Sequence, residues 1–117
     1  LFRSVRHAEV YRSSFAISVC PSENVESPTI VGAQAANELL NIIGIKASFV
    51  LTEYNDKIYI SSRSIDEINV QIIMEKLGGG GHLNVAGAQL TGVTIVQAKR
   101  MIQDTLDEML KEGDIEE

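Results

Sequence analysis

Four consecutive glycines, Gly78–Gly81, run directly into His82. Ordering such a run costs roughly 1 kcal/mol per residue relative to alanine in regular structure. A folded chain therefore keeps it where backbone turns sharply or lies close against something. Consecutive backbone N–H groups in a glycine loop can form a nest for an anion such as phosphate. His82, projecting from the same loop, can hydrogen-bond that anion or exchange a proton near neutral pH. The plainer alternative is a tight connection without a ligand, and a histidine that is simply a satisfied polar group. Two nucleotide motifs fail here. G-x-x-x-x-G-K-[ST] lacks its lysine, and G-x-G-x-x-G needs glycine where Leu83 or Asn84 stands.

Arg63 is the second group of interest, flanked by Ser61, Ser62 and Ser64 at the end of an alternating run. A guanidinium fork suits a phosphate or a base edge, and neighbouring hydroxyls can add contacts. By itself it is equally a solvated surface arginine. Arg63 together with Gly79–His82 points to an anionic ligand more strongly than either does alone. Lys57, Lys76 and the arginines near the N-terminus read as solvated surface. No Ser–His–Asp or Cys–His constellation is indicated by spacing, and His7 has no metal-ligand spacing to His82. No metal or cofactor is expected in this chain, which reads as a binder rather than a complete catalyst.

These groups need elements to position them. Ser14 to Cys20 alternates as a strand, with Phe15, Ile17 and Val19 on one side. Residues 3–12 are a linker or a short helix. Ser27 and Pro28 suit an N-cap and first helical position, Val31, Ala35, Leu39 and Ile42 follow at helical spacing, and Gly44 is a stop. That predicts a helix over 28–43. Residues 45–53 and 57–63 form a hairpin about Tyr54-Asn55-Asp56, with Ile58 and Ile60 on one face and Tyr59, Ser61 and Arg63 on the other. Asn69 caps a helix carrying Val70, Ile73, Met74 and Leu77, ended by Gly78. A short strand follows Ala86-Gly87-Ala88. Thr94 to Gln97 has the form of a capping box for a last helix over 95–111, with Ile95, Ala98, Ile102, Leu106 and Met109 on its apolar face. The fold class is α/β (α+β), a central mixed sheet with helices packed on it. Residues 14–111 form the domain, and 112–117 are an acidic tail expected to fray.

Composition sets the limits. The chain has 117 residues, 44% hydrophobic and 22% charged, enough for one buried core. Its net charge of −6 argues against a binder that relies on broad positive charge. Four acidic residues fall in 112–117 with no base, so residues 1–111 carry only −2. One cysteine, Cys20, excludes an internal disulfide and fits a reducing compartment as a core thiol. No stretch has the roughly 20 apolar residues of a membrane helix. The start Leu1-Phe2-Arg3 lacks an initiating Met, which suggests a piece of something longer.

The stretch from Gly78 to Gly87 resembles the glycine–histidine signature of the DHHA1 domain, the C-terminal substrate-binding half of the DHH phosphodiesterase superfamily. Ser61-Ser62-Arg63-Ser64 is similar to that family's S-x-R-S strand end. With Ala47–Val50 and Asn69–Leu77, the likeness extends from about Ser14 to Leu110 and points to the GdpP-type, membrane-anchored cyclic-di-AMP phosphodiesterases. The resemblance implies a DHHA1-like fold whose Arg63 grips a nucleotide phosphate or base. Ser61, Ser62 and Ser64 would line the strand end, and Gly79, Gly80, Gly81 and His82 would cradle the phosphate. It also implies a DHH domain in the same parent chain, with two manganese ions that activate water. No Asp-His-His segment occurs in this sequence, so the isolated chain is expected to bind rather than hydrolyse. The implied ligand is cyclic-di-AMP, its product pApA or a short oligonucleotide. The implied location is the cytoplasmic face of a membrane-anchored parent, with no membrane contact by this fragment. Alternatives are the strand-end-binding domain of an oligoribonuclease or exonuclease, the C-terminal domain of alanyl-tRNA synthetase (disfavoured by the acidic charge), or an oligomerisation module that forms a homodimer.

Overall fold

A computed structural model of the chain describes residues 8–20 and 28–117. The elements run β1 (Glu9–Tyr11), β2 (Phe15–Cys20), α1 (Pro28–Leu39), β3 (Ala47–Tyr54), β4 (Lys57–Ser64), α2 (Val70–Glu75), β5 (Gly80–Gly81), β6 (Val85–Thr91) and α3 (Ile95–Glu112). Among the described residues the strands form one six-stranded sheet ordered β1-β2-β3-β4-β6-β5. β2 and β3 are parallel, joined across α1, and the other pairings are antiparallel, so the sheet is mixed.

The hairpin is set by Asn55 and Asp56, both in the left-handed region at φ 51° and 62°, between the paired Tyr54 and Lys57. Such a two-residue turn matches the twist of its strands, and Asn and Asp tolerate its positive φ. This fixes the register along β4. Ile58 and Ile60 enter the larger apolar core with Phe15, Ile17, Phe49 and Leu51, and α2 and α3 cover that face. Ala16, Cys20 and Val50 face the other way, under Ala35, Ala36 and Leu39 of α1. Cys20 is a buried core thiol, as expected. The last helix begins with the expected capping box: Thr94 Oγ1 accepts from Gln97 N at 3.1 Å, and Gln97 Oε1 accepts from Thr94 N at 2.8 Å. Its Ala98, Ile102, Leu106 and Met109 are buried.

Several boundaries differ from the sequence reading. Glu9–Tyr11 is an edge strand rather than helix or linker, while residues 1–7 lie outside the described residues. The helix that begins at Pro28 ends at Leu39, four residues early; Ser27, its expected cap, lies outside the described residues. The chain then tightens, Asn41 N donating to Glu38 O and Ile42 N to Leu39 O, so Ile43 is fully exposed. Val19 lies on the same strand face as Phe15 and Ile17, paired with Leu51, but stands outside the core and is exposed. The glycine loop contains a strand, because Gly80 and Gly81 pair with Gly87 and Ala86.

The acidic end turns back onto the domain. Gly113, at φ +80°, donates to Leu110 O, and Asp114 N donates to Met109 O, a Schellman closure of α3. That reversal returns Ile115 to the core, 5% exposed.

Candidate functional site

α1 covers the sheet only in part, and beside it a cleft of about 460 Å³ opens over β4 and β6. Its floor follows from strand alternation: Tyr59, Ser61 and Arg63 of β4 point to the α1 side, and Gln89 and Gly87 of β6 lie opposite Tyr59 and Ser61. One wall is the first part of α1, through Thr29 and Ala33, and the other is Gly78–Gly79. Gly87 is what keeps the floor low. A Cβ there would stand 2.8 Å from the carbonyl oxygen of Ile60. The opening of a helix also brings its positive dipole end to the cleft.

Arg63 is partly buried, and its Nη1 donates to its neighbour's carbonyl, Ser62 O, at 2.7 Å. Among the described residues it has no ion pair, whereas Lys46, Lys99 and Arg100 each have one and Arg12 has two. Burial pulls its guanidinium below the ordinary value, a shift that leaves the group charged at neutral pH. A desolvated cation without a carboxylate is costly unless an anion completes it. Among the described residues the hydroxyl of Ser61, the phenol of Tyr59 and the amide of Gln89 have no hydrogen-bond partner in the protein.

The predicted site residues divide. Arg63, Ser61 and Gly79 meet in the cleft. Ser62 and Ser64 do not: the same alternation turns them to the opposite face, where both are buried. Ser62 Oγ donates to Ala86 O at 2.8 Å and Ser64 Oγ to Ile68 O at 2.6 Å, so these hydroxyls secure the strand end.

Nor do the glycines form the expected nest. The N–H of Gly78 donates to Glu75 O and that of Gly79 to Met74 O, closing α2, while Gly80 and Gly81 lie in the ladder with β6. Their role is close approach and an open wall. His82 is exposed in the β5–β6 turn, its N–H bonded to Val85 O, and it is not among the residues lining the cleft. Sequence reasoning placed Tyr59 on the Arg63 face without assigning it a role, and missed Gln89, Gly87 and Thr29. Alternation alone was the signal for Tyr59. Gln89 needed the β4–β6 register, which no local pattern carries. Among the described residues no three His, Cys, Asp or Glu side chains gather as metal ligands, so the donor set for manganese is not offered by them.

The DHHA1 domain matches residues 13–112 of this chain. The chain is 46% identical over 106 residues to the cyclic-di-AMP phosphodiesterase PdeA of Listeria monocytogenes serotype 1/2a (strain 10403S), covering 90% of this chain and 16% of that protein. It is 37% identical over 111 residues to the cyclic-di-AMP phosphodiesterase GdpP of Bacillus subtilis (strain 168), covering 93% of this chain and 17% of that protein. A solved exopolyphosphatase-related protein from Bacteroides fragilis shares the fold, with TM-score 0.80 at 22% identity over 92% of this chain and 33% of that one. The chain thus spans about one sixth of the length of the two sequence relatives.

Proposed function

The chain belongs to the DHHA1 family, and from that footing we propose that its cleft is the substrate grip of a cyclic-di-AMP phosphodiesterase. The observation that carries this reading is Arg63, a partly buried guanidinium with no ion-pair partner among the described residues, beside the free hydroxyl of Ser61. A phosphate of cyclic-di-AMP or of pApA completes it: the guanidinium fork donates to two phosphate oxygens and Ser61 Oγ donates to a third position. The helix opening at Thr29 adds favourable potential. Gly79 and Gly87 leave room for the sugar–phosphate to lie low on the sheet.

In this reading the chain binds and orients, and bond cleavage belongs to a manganese-bearing DHH domain of the same parent chain. When bound there, manganese would supply activated water. The described residues of the cleft contribute position and charge in this reading. The parent is read as membrane-anchored with this domain on the cytoplasmic side. Among the described residues no helix is long and apolar enough to cross a membrane.

Calorimetric titration of the chain with cyclic-di-AMP and with pApA tests the reading. A charge-assisted bond is worth about 1.5–3 kcal/mol, so Arg63→Ala should weaken binding by roughly 10- to 100-fold. Arg63→Lys keeps the charge and loses the fork, and should fall between. Unchanged affinity in Arg63→Ala would remove the assignment. Tight binding of longer single strands over both dinucleotides would favour the oligonucleotide-end reading.

A further inference from the structure

The cleft extends past Arg63. Along β4, Tyr59 stands four residues from Arg63 on the same face, about 13 Å of strand, and Gln89 lies directly opposite Tyr59 on β6. Between them the Ser61–Gly87 pair offers one hydroxyl and no other side chain above the floor. The row continues on β3, where Thr52 pairs with Tyr59. Thr52 is fully buried, and among the described residues its Oγ1 has no hydrogen-bond partner. Tyr59 and Gln89 likewise make no side-chain hydrogen bond among the described residues. Among the described residues three adjacent strands thus present one cross-strand row of polar side chains without protein partners, from the exposed Gln89 through the half-buried Tyr59 to the completely buried Thr52. Native proteins rarely leave buried polar atoms in this state.

We infer that Tyr59 and Gln89 form a nucleobase subsite, which holds an adenine while Arg63 holds the phosphate of the same nucleotide. The inference rests on the phosphate reading of Arg63. A half-buried phenol ring offers a stacking face to a base, whichever base it is. The carboxamide of Gln89 offers a donor and an acceptor side by side. Adenine presents the complementary pair, its N6 donor beside its N7 acceptor, while the matching edge of guanine presents two acceptors. Among the described residues no carboxylate lines the cleft. Gly87 lets the ribose cross the floor between the two ends.

The experiment is an NMR-monitored titration of the 117-residue chain with adenosine 5′-monophosphate, guanosine 5′-monophosphate and ribose 5-phosphate, which share one phosphate. The adenine nucleotide should bind about tenfold more tightly than the guanine nucleotide, as one good bidentate pair allows, and the guanine nucleotide more tightly than ribose 5-phosphate through stacking alone. Gln89→Leu should bring it down to the guanine level. Tyr59→Leu should bring both nucleotides down to the level of ribose 5-phosphate, and Tyr59→Phe should keep the stacking gain. Ribose 5-phosphate should bind the wild type and these variants equally. Equal binding of all three ligands to the wild type, with all three lost in Arg63→Ala, would overturn the base subsite and leave the phosphate grip standing. Binding that survives Arg63→Ala would overturn the phosphate grip itself, and the base subsite with it.

Discussion

A Cβ at Gly79 would stand 2.1 Å from the carbonyl oxygen of Gly87 and 2.6 Å from the Cα of Ala88, whereas one at Gly80 would meet no heavy atom within 4 Å. The two neighbours therefore differ in what the fold asks of them. Backbone cannot yield as a flexible side chain can, so Gly79→Ala should destabilise by at least the ~1–3 kcal/mol typical of overpacking. Gly80→Ala should stay within about 1 kcal/mol of wild type. Equilibrium urea denaturation of both variants checks this, and a neutral Gly79→Ala would mean that β5–β6 packing is wrong. The sequence marked the run but could not sort its members, because the atoms that decide come from β6. The serines show the converse. Alternation in the sequence put Ser61 with Arg63, yet adjacency grouped Ser62 and Ser64 with them. Burial and backbone acceptors then separated the two sets.

At the scale of elements, signals held within one segment were legible and signals shared between segments were not. The Thr94–Gln97 box, the Asn55–Asp56 turn and the apolar face of α3 all appear as their local residues dictate. The two edge strands were not legible, since three residues and two residues are too few to show a period. The return of Ile115 to the core was not legible either, because the charges around it outweigh it in composition but not in packing. β1 is tied to α3 by Tyr11, whose Oη donates to the two carboxylate oxygens of Asp107 at 2.7 and 2.8 Å. Burial, and then the bond to Asp107, raise the phenol above its ordinary value of 10.0. A raised value means that folding favours the protonated phenol. The contribution is therefore complete below the unfolded value and is lost as pH rises through the folded one. As pH rises above the ordinary phenol value of 10.0, the stability advantage of wild type over Tyr11→Phe should shrink. Urea midpoints measured through that rise check it, and a constant difference would show that the Asp107 bond does not stabilise β1 on α3.

Taken whole, the molecule carries −6 while its candidate site centres on one arginine. The residues at the acidic end gather elsewhere, in cavities lined by Arg12, Asp107 and Glu117 or by Glu67 and Asp114 rather than in the cleft. An approaching phosphate therefore meets two opposed fields. The long-range field of the net charge repels it, and the short-range field of a partly buried guanidinium attracts it. Salt acts unequally on them, because exposed charges beyond a Debye length of about 8–10 Å are screened while a partly buried contact is screened much less. Raising ionic strength from about 20 to about 200 mM should therefore change the affinity for a mononucleotide by less than roughly twofold, as weaker repulsion offsets a weaker contact. A surface that neutralises many phosphates with scattered lysines and arginines behaves differently, losing on the order of a thousandfold over a similar range. Calorimetric or NMR titration at the two salt concentrations separates these cases. A loss of more than about tenfold would mean that cations beyond Arg63 converge on the ligand. A flat response would locate recognition in the cleft, where one guanidinium and a row of neutral polar groups act at contact distance.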